Sequence, residues 1–138
     1  MRALVQRVSS ASVSVDGREI SRIGQGLLVL LGVHVGDEES NCDRLAAKVL
    51  ALRVFEDSGG KMNEAVGERE ILCVSQFTLY GDTTRGNRPG FSDAAPPGLA
   101  GPLYRRFCER TEAKMGVFGA KMAVELVNDG PVTLMLEA

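Results

Sequence analysis

With 138 residues, 44% of them hydrophobic and 25% charged, the chain has the balance of a globular protein and the length of one domain, 1–138. No apolar run approaches the roughly 20 residues that a bilayer span needs, so no membrane partner is expected. A net charge of −2 excludes a global electrostatic pull on nucleic acid, so any RNA contact has to use a local cluster of Lys and Arg or a short piece of RNA.

The opening Met1-Arg2-Ala3-Leu4-Val5-Gln6-Arg7 has no signal-peptide core, because Gln6 and Arg7 interrupt it, and a cytoplasmic location is expected. Residues 2–8 and 11–15 read as two short strands, the second alternating Val13 and Val15 against Ser12 and Ser14. Asp16-Gly17 is a hairpin pair that leads into a strand from Arg18 to Ile23. After the turn Gly24-Gln25-Gly26, the run Leu27 to Val33 is short and continuously apolar, as a strand buried on both faces requires. His34, the only histidine, ends that run. A Ser-His or Cys-His nucleophile would have to use this one imidazole, and a strand-end role is the simpler expectation.

Asp37 fits a helix N-cap, with Glu38 and Glu39 in the first turn where the helix dipole favours acids. Cys42, Leu45, Ala46, Val49, Leu50 and Leu52 then recur at helical spacing and predict a face packed on a sheet. Arg53 to Glu56 reads as a short strand, Asp57-Ser58-Gly59-Gly60 as a turn, and Met62 and Asn63 as loop. Ile71 to Tyr80 reads as a buried strand whose end carries Ser75, Gln76 and Thr78. Polar groups on a hydrophobic rim are placed where a small ligand could be held by backbone N–H groups and a few side chains.

Residues 81–98 are too rich in Gly and Pro for a helix or central strand. Phe91 argues that this loop folds back onto the body, and Arg85 and Arg88 make it locally basic. A second helix is expected from Leu99 to Met115, with Leu99, Leu103, Phe107 and Met115 inward and Gly116 ending it. Met122, Val124 and Leu126 alternate in a half-buried strand, Asn128-Asp129-Gly130-Pro131 breaks it, and Val132, Leu134 and Leu136 form a last one. Cys42, Cys73 and Cys108 have neither metal-ligand spacing nor an even count, so neither zinc nor a disulfide is expected.

Three stretches together resemble the D-aminoacyl-tRNA deacylase family, the cytosolic form with a Gly-cisPro motif. The opening MRALVQRVSSASVSVDG is similar to that family's first strands, Ser75-Gln76-Phe77-Thr78-Leu79 to its SQFTL motif, and Asn128-Asp129-Gly130-Pro131-Val132-Thr133 to its NxGPVT motif. Arg88-Pro89-Gly90-Phe91 and Ala94-Ala95-Pro96 are also similar, with Gly90 where Ser is more usual. The resemblance implies an α+β domain, a β-barrel-like sheet with two main helices packed outside. It implies a metal-independent hydrolase without cofactor, acting on the 3′-terminal aminoacyl-adenosine of D-aminoacyl-tRNA and of glycyl-tRNA mischarged on tRNA-Ala. It also implies a homodimer in which Gly130-Pro131 of one subunit enters the site built by Ser75 to Thr78 of the other.

The implied roles are physically sensible. Gly130 has no Cβ, so its carbonyl can approach a substrate Cα, and fixed main-chain atoms there would reject an L side chain by collision. An X–Pro bond is cis only about one time in twenty in folded proteins, so a cis Gly130-Pro131 would mark a specific backbone geometry. Backbone N–H groups at Phe77 and Thr78 would stabilise the oxyanion. Thr78 could attack covalently, but with no base nearby in sequence a water assisted by the substrate 2′-hydroxyl is preferred. Phe118 and Met122 would face the adenine or simply pack the core, and Arg7 would support the Gly-Pro segment or form a surface salt bridge.

Overall fold

The structure, a computed structural model, describes residues 1–138. The N-terminal segment is one strand, β1 (Arg2–Val15), rather than two. Ser9-Ser10 marks a bend, not a break: the ladder to the last strand shifts register between Gln6 and Val8 and again between Val8 and Ser10. Such irregularities bend a strand while keeping it extended. The first half of β1 therefore pairs with β3 (Gly26–Gly32), and the second half with β2 (Arg18–Ile23). Asp16 and Gly17 have φ of 51° and 77°, the left-handed pair that a two-residue hairpin demands.

Two short elements follow the first helix, β4 (Phe55–Glu56) and β5 (Met62–Glu64). They pair with each other, so Met62 and Asn63 are strand rather than loop. Then β6 (Glu70–Ser75) runs parallel to β3, and β7 (Lys114–Met115) runs parallel to β6. The sheet order is β2-β1-β3-β6-β7, and β8 (Ala123–Glu137) lies along the other side of β1. Lys114 Nζ donates to Arg22 O at 2.8 Å and Ser21 Oγ to Met115 O at 2.6 Å, which draws β7 to β2 and nearly closes a barrel. The α+β expectation holds. Asn128 to Pro131 does not end the strand; β8 runs through it and absorbs it in its irregular register with β1.

The continuous apolar runs are buried on both faces, as expected. Leu28, Leu72 and Val74 join Val8, Val13 and Ile23 in a cluster formed by strands alone, inside the barrel. Leu27, Val29, Leu31, Ile71 and Cys73 face outward into the larger cluster, where the helices cover them with Leu45, Val49, Tyr104 and Phe107. All three cysteines are free and buried.

Helix α1 (Glu39–Ala51) buries Cys42, Leu45, Ala46 and Val49 as expected, but Leu50 is exposed. Its N-cap is Glu38, which trades hydrogen bonds with Asn41, and not Asp37. Asp37 is buried one residue earlier, where its carboxylate accepts the Met1 amine at 2.9 Å and the His34 N–H at 2.6 Å. Helix α2 (Pro97–Thr111) starts on a proline suited to the first turn and stops at Glu112, which takes φ 54°. It ends four residues before Met115 because Lys114-Met115 extends the sheet beside β6. Gly116 therefore does not cap the helix. It makes room instead: a β-carbon there would sit 2.7 Å from Met122 Sδ. Across the helix seam Arg106 and Arg110 both pair with Asp43, at 2.8 and 3.3 Å. No helix is long and apolar enough to cross a membrane.

Candidate active site

Strand β6 stops at Ser75, earlier than expected, and the chain turns over the end of its neighbour. Gln76 N still donates to Leu31 O at 2.8 Å, after which Phe77–Tyr80 closes a single 3-10 turn. Gly32 permits this, because a β-carbon at that position would lie 3.1–3.2 Å from Leu79, Gln76 and Tyr80. Leu79 N donates to Gln76 O and Gly81 N to Thr78 O, at 3.2 and 3.0 Å. The amides of Phe77 and Thr78 open the turn and have no partner within it. They are the orphan donors that any helical turn leaves at its start. Arg2 fastens the far end of the turn: Nη1 donates to Leu79 O at 2.9 Å, and the guanidinium lies 4.6 Å from the Tyr80 ring centre.

The turn forms one wall of a cleft of about 490 Å³, lined by 14 residues of which 10 are hydrophobic. Ser75, Gln76 and Phe77 line it from the turn and Phe118 and Met122 from the segment between β7 and β8. Phe91 lines it too, so the 81–98 loop folds back as expected, its ring meeting Phe77 edge-on at 5.0 Å. Phe118 rests on Tyr104 with ring centres 5.8 Å apart. Met122 packs on the inner barrel cluster and also reaches the lining of the cleft. The Thr78 side chain is exposed on the turn, and its Oγ1 accepts a hydrogen bond from Gln76 Nε2.

The remaining predicted residues are elsewhere. Gly130-Pro131 is joined by a cis peptide bond and stands exposed on β8. Met122 lines the cleft just ahead of β8 and Gly130 lies eight residues further on, roughly 25 Å along the chain, where four residues of β8 stand opposite the single Arg7 of β1. Arg7 is buried, not a surface ion-pair partner. Its guanidinium donates to Val54 O at 2.6 Å and to Asp129 O at 3.3 Å, and meets the Asp129 carboxylate at 3.0 Å. The Asn128 amide, with its nitrogen inward, donates to Arg7 O at 3.1 Å and Val132 O at 3.2 Å. Both residues before the Gly-Pro pair are thus tied to Arg7.

Residues 4–137 match the model of a family described as D-Tyr-tRNA(Tyr) deacylase. The chain belongs to the D-Tyr-tRNA(Tyr) deacylase family. The D-aminoacyl-tRNA deacylase of Anaeromyxobacter dehalogenans (strain 2CP-C) is 56% identical, the match covering 100% of this chain and 97% of the relative. That of Symbiobacterium thermophilum is 54% identical over 100% and 96%. Among solved structures, the c-Myc DNA Unwinding Element Binding Protein superposes with a TM-score of 0.94 at 44% identity, covering 100% of this chain and 99% of that one.

In this deacylase-family cleft the lining contains no ionisable side chain. Burial, then the nearby Asp37 charge, pushes the Tyr80 hydroxyl up to about 12, so it stays protonated at neutral pH. Burial raises the Cys73 thiol beneath the site well above its ordinary range, which excludes a thiolate there. His34 packs against Tyr80 with tilted rings 5.3 Å apart and accepts the Gly36 N–H on Nδ1, and it makes no hydrogen bond to Thr78, whose Oγ1 is engaged by Gln76. No three His, Cys, Asp or Glu side chains converge as a metal site. Sequence reasoning missed Arg2 and Asn128 as fasteners of the two motif segments. Asn128 was readable, since it opens the second motif; an arginine at a strand start carries no such signal.

Proposed function

We propose that this chain hydrolyses the ester between a D-amino acid and the 3′-terminal adenosine of tRNA, and likewise glycine mischarged on tRNA-Ala. It acts as a cytoplasmic homodimer in which Gly130-Pro131 of one subunit completes the cleft of the other. The observation that carries this reading, beyond family membership, is the separation of the two motifs. The cleft offers donors but nothing to sense handedness, while the Gly-Pro segment projects from an edge roughly 25 Å along the chain from Met122. A second copy supplies each with what it lacks. Strand β8 is suited to that contact, since Leu126, Val127, Leu134 and Met135 are exposed on it and its outer edge is unpaired. A long apolar edge of this kind is ordinarily covered by another chain.

In this reading the adenine enters between Phe118 and Met122, and the scissile carbonyl oxygen points at the Phe77 and Thr78 amides. Those amides open a turn already formed before substrate arrives, and donors that need no rearrangement are the condition under which oxyanion stabilisation is largest. Thr78 Oγ1 already accepts from Gln76 and has no base beside it, which favours attack by water assisted by the substrate 2′-hydroxyl over an acyl-Thr78 route. Arg7 holds Asp129, and through it the approach of Gly130. No metal or cofactor takes part.

Subunit mixing tests the arrangement. A Gly130→Ala chain keeps a sound cleft, and a Phe77→Pro chain keeps a sound Gly-Pro segment. Each alone should keep about a hundredth of the parent activity or less, but a one-to-one mixture reassembled at random should recover about a quarter of the parent sites, all in mixed dimers. No recovery from mixtures shown to contain mixed dimers would put both motifs in the same chain's site and overturn the reading.

A further inference from the structure

The ends of the cleft are charged although its lining is not. On α2, Arg106 and Arg110 are both committed to Asp43 of α1, but Arg105 points the other way and pairs with no carboxylate. A β-carbon at Gly101 would sit 3.4 Å from Arg105 Nη1 and 3.6 Å from Phe118 Cε1, so the exposed guanidinium lies beside the ring that lines the cleft. Lys121 is exposed between Ala120 and Met122, both lining residues, and also lacks an ion-pair partner. The loop that brings Phe91 into the lining also carries Arg85 and Arg88, exposed and without carboxylate partners. The acids of that loop are Asp82, whose carboxylate accepts the Thr84 N–H at 2.9 Å, and Asp93.

We propose that Arg105 and Lys121, with the Arg85/Arg88 loop that also borders the cleft, form a phosphate-binding rim that receives the single-stranded 3′ end of the tRNA. This rests on the reading that the terminal adenosine occupies the cleft. A base against Phe118 puts its 5′ phosphate at the mouth, where two cations stand unneutralised. An acidic protein thereby gains a local attraction for RNA without a basic surface. The rim binds backbone and does not read bases, so it serves any tRNA with a free 3′ end.

The test uses an unacylated RNA minihelix ending in single-stranded CCA, so that binding is read whether or not the ester is cleaved. The double variant Arg105→Glu/Lys121→Glu is compared with Arg44→Glu/Lys48→Glu, which makes the same charge change on the exposed outer face of α1. The rim variant should bind at least tenfold more weakly at ~0.1 M salt, and its slope of log affinity against log salt should fall by roughly 1.4, about 0.7 per cation. The α1 variant should stay within about twofold of the parent. Equal weakening in both variants, or an unchanged slope in the rim variant, would overturn the rim. With the D-aminoacylated minihelix the loss should fall on KM, and it should vanish on D-aminoacyl-adenosine, which has no phosphate. An equal loss on that small ester would assign the two side chains to adenosine instead. A parent that cleaves neither ester would sink the hydrolase reading and leave the binding result standing.

Discussion

Ser75–Tyr80 turns inward at the end of a strand buried on both faces, whereas Asn128–Pro131 stands on the outer edge of β8. The first segment is held by backbone: Gln76 to Leu31, Leu79 to Gln76, and Arg2 on the Leu79 carbonyl. The second is held by side chains, the Arg7 guanidinium on Asp129 and the Asn128 amide on Arg7 O and Val132 O. The inward turn has two amides to offer and a cavity to offer them to. The edge segment has a bare glycine and no cavity of its own. In the dimer proposed above, each segment is rigid where its chemistry needs it and takes from the other copy what it lacks.

The sharpest way to break this comparison is to remove a donor from the inward turn without disturbing the turn. Phe77 is at the first position of the turn, where the missing N–H of a proline removes no bond of the turn itself, so proline fits there at little cost to the fold. Phe77→Pro should lower kcat by about 10²–10³-fold, the usual effect of losing one oxyanion donor. Phe77→Ala removes the ring, which is half exposed, but keeps the amide, and should cost less than about tenfold. Equal losses in the two variants, measured by single-turnover deacylation, would move the role from the amide to the ring.

The edge segment is broken by adding one carbon. A β-carbon at Gly130 meets only the Asn128 amide, at 3.6 Å, so Gly130→Ala should leave the melting temperature within a few degrees of the parent. Against a bound substrate the same methyl should displace the ester by about 1 Å and lower kcat/KM by roughly a hundredfold. Near-parent activity on D-aminoacyl-tRNA would mean that Gly130 does not approach the substrate.

Arg7 separates holding from chemistry. Arg7→Ala leaves the Val54 carbonyl without its donor and a guanidinium-sized gap, for a destabilisation of about 2–3 kcal/mol by urea unfolding. Arg7→Lys can satisfy Val54 or Asp129 but not both, and should recover about half of that stability while activity stays low. Full recovery of activity with lysine would reduce Arg7 to a packing residue.

The frame was legible in the sequence where one principle acted alone. Continuous apolar runs gave β3 and β6, Asp16-Gly17 gave the hairpin, and helical spacing gave the buried face of α1. The misses are places where tertiary contacts overrode a local signal. Ser9-Ser10 and Asn128–Pro131 looked like breaks because polar and Gly-Pro residues usually are, yet the pairing of β1 with β8 resumes on the far side of each and carries the strand through. Lys114-Met115 continued a helical pattern but gains a sheet partner in β6. Asp37 was taken from its capping role by the Met1 amine, 36 residues away in sequence. The two motif segments were visible as residues, and their distance apart within one chain was not.

The smallest effect expected concerns the helix seam, the charged counterpart of the charge-free cleft. Asp43 is held below the usual carboxylate range chiefly by the hydrogen bond from Arg106. Because the folded pKa is the lower one, the unfolded chain binds more protons as the pH drops to about 4 and below. The contribution of Asp43 is therefore fully present above that pH and is lost as acid titrates the folded carboxyl. Asp43→Asn should make stability less steep in pH below about 4 and leave the neutral-pH rate of deacylation unchanged, since the seam does not line the cleft. An acid limb with the parent's slope in this variant would assign the acid sensitivity to other carboxylates, such as Asp57 or Glu70, which neighbouring N–H and Lys114 donors also hold low.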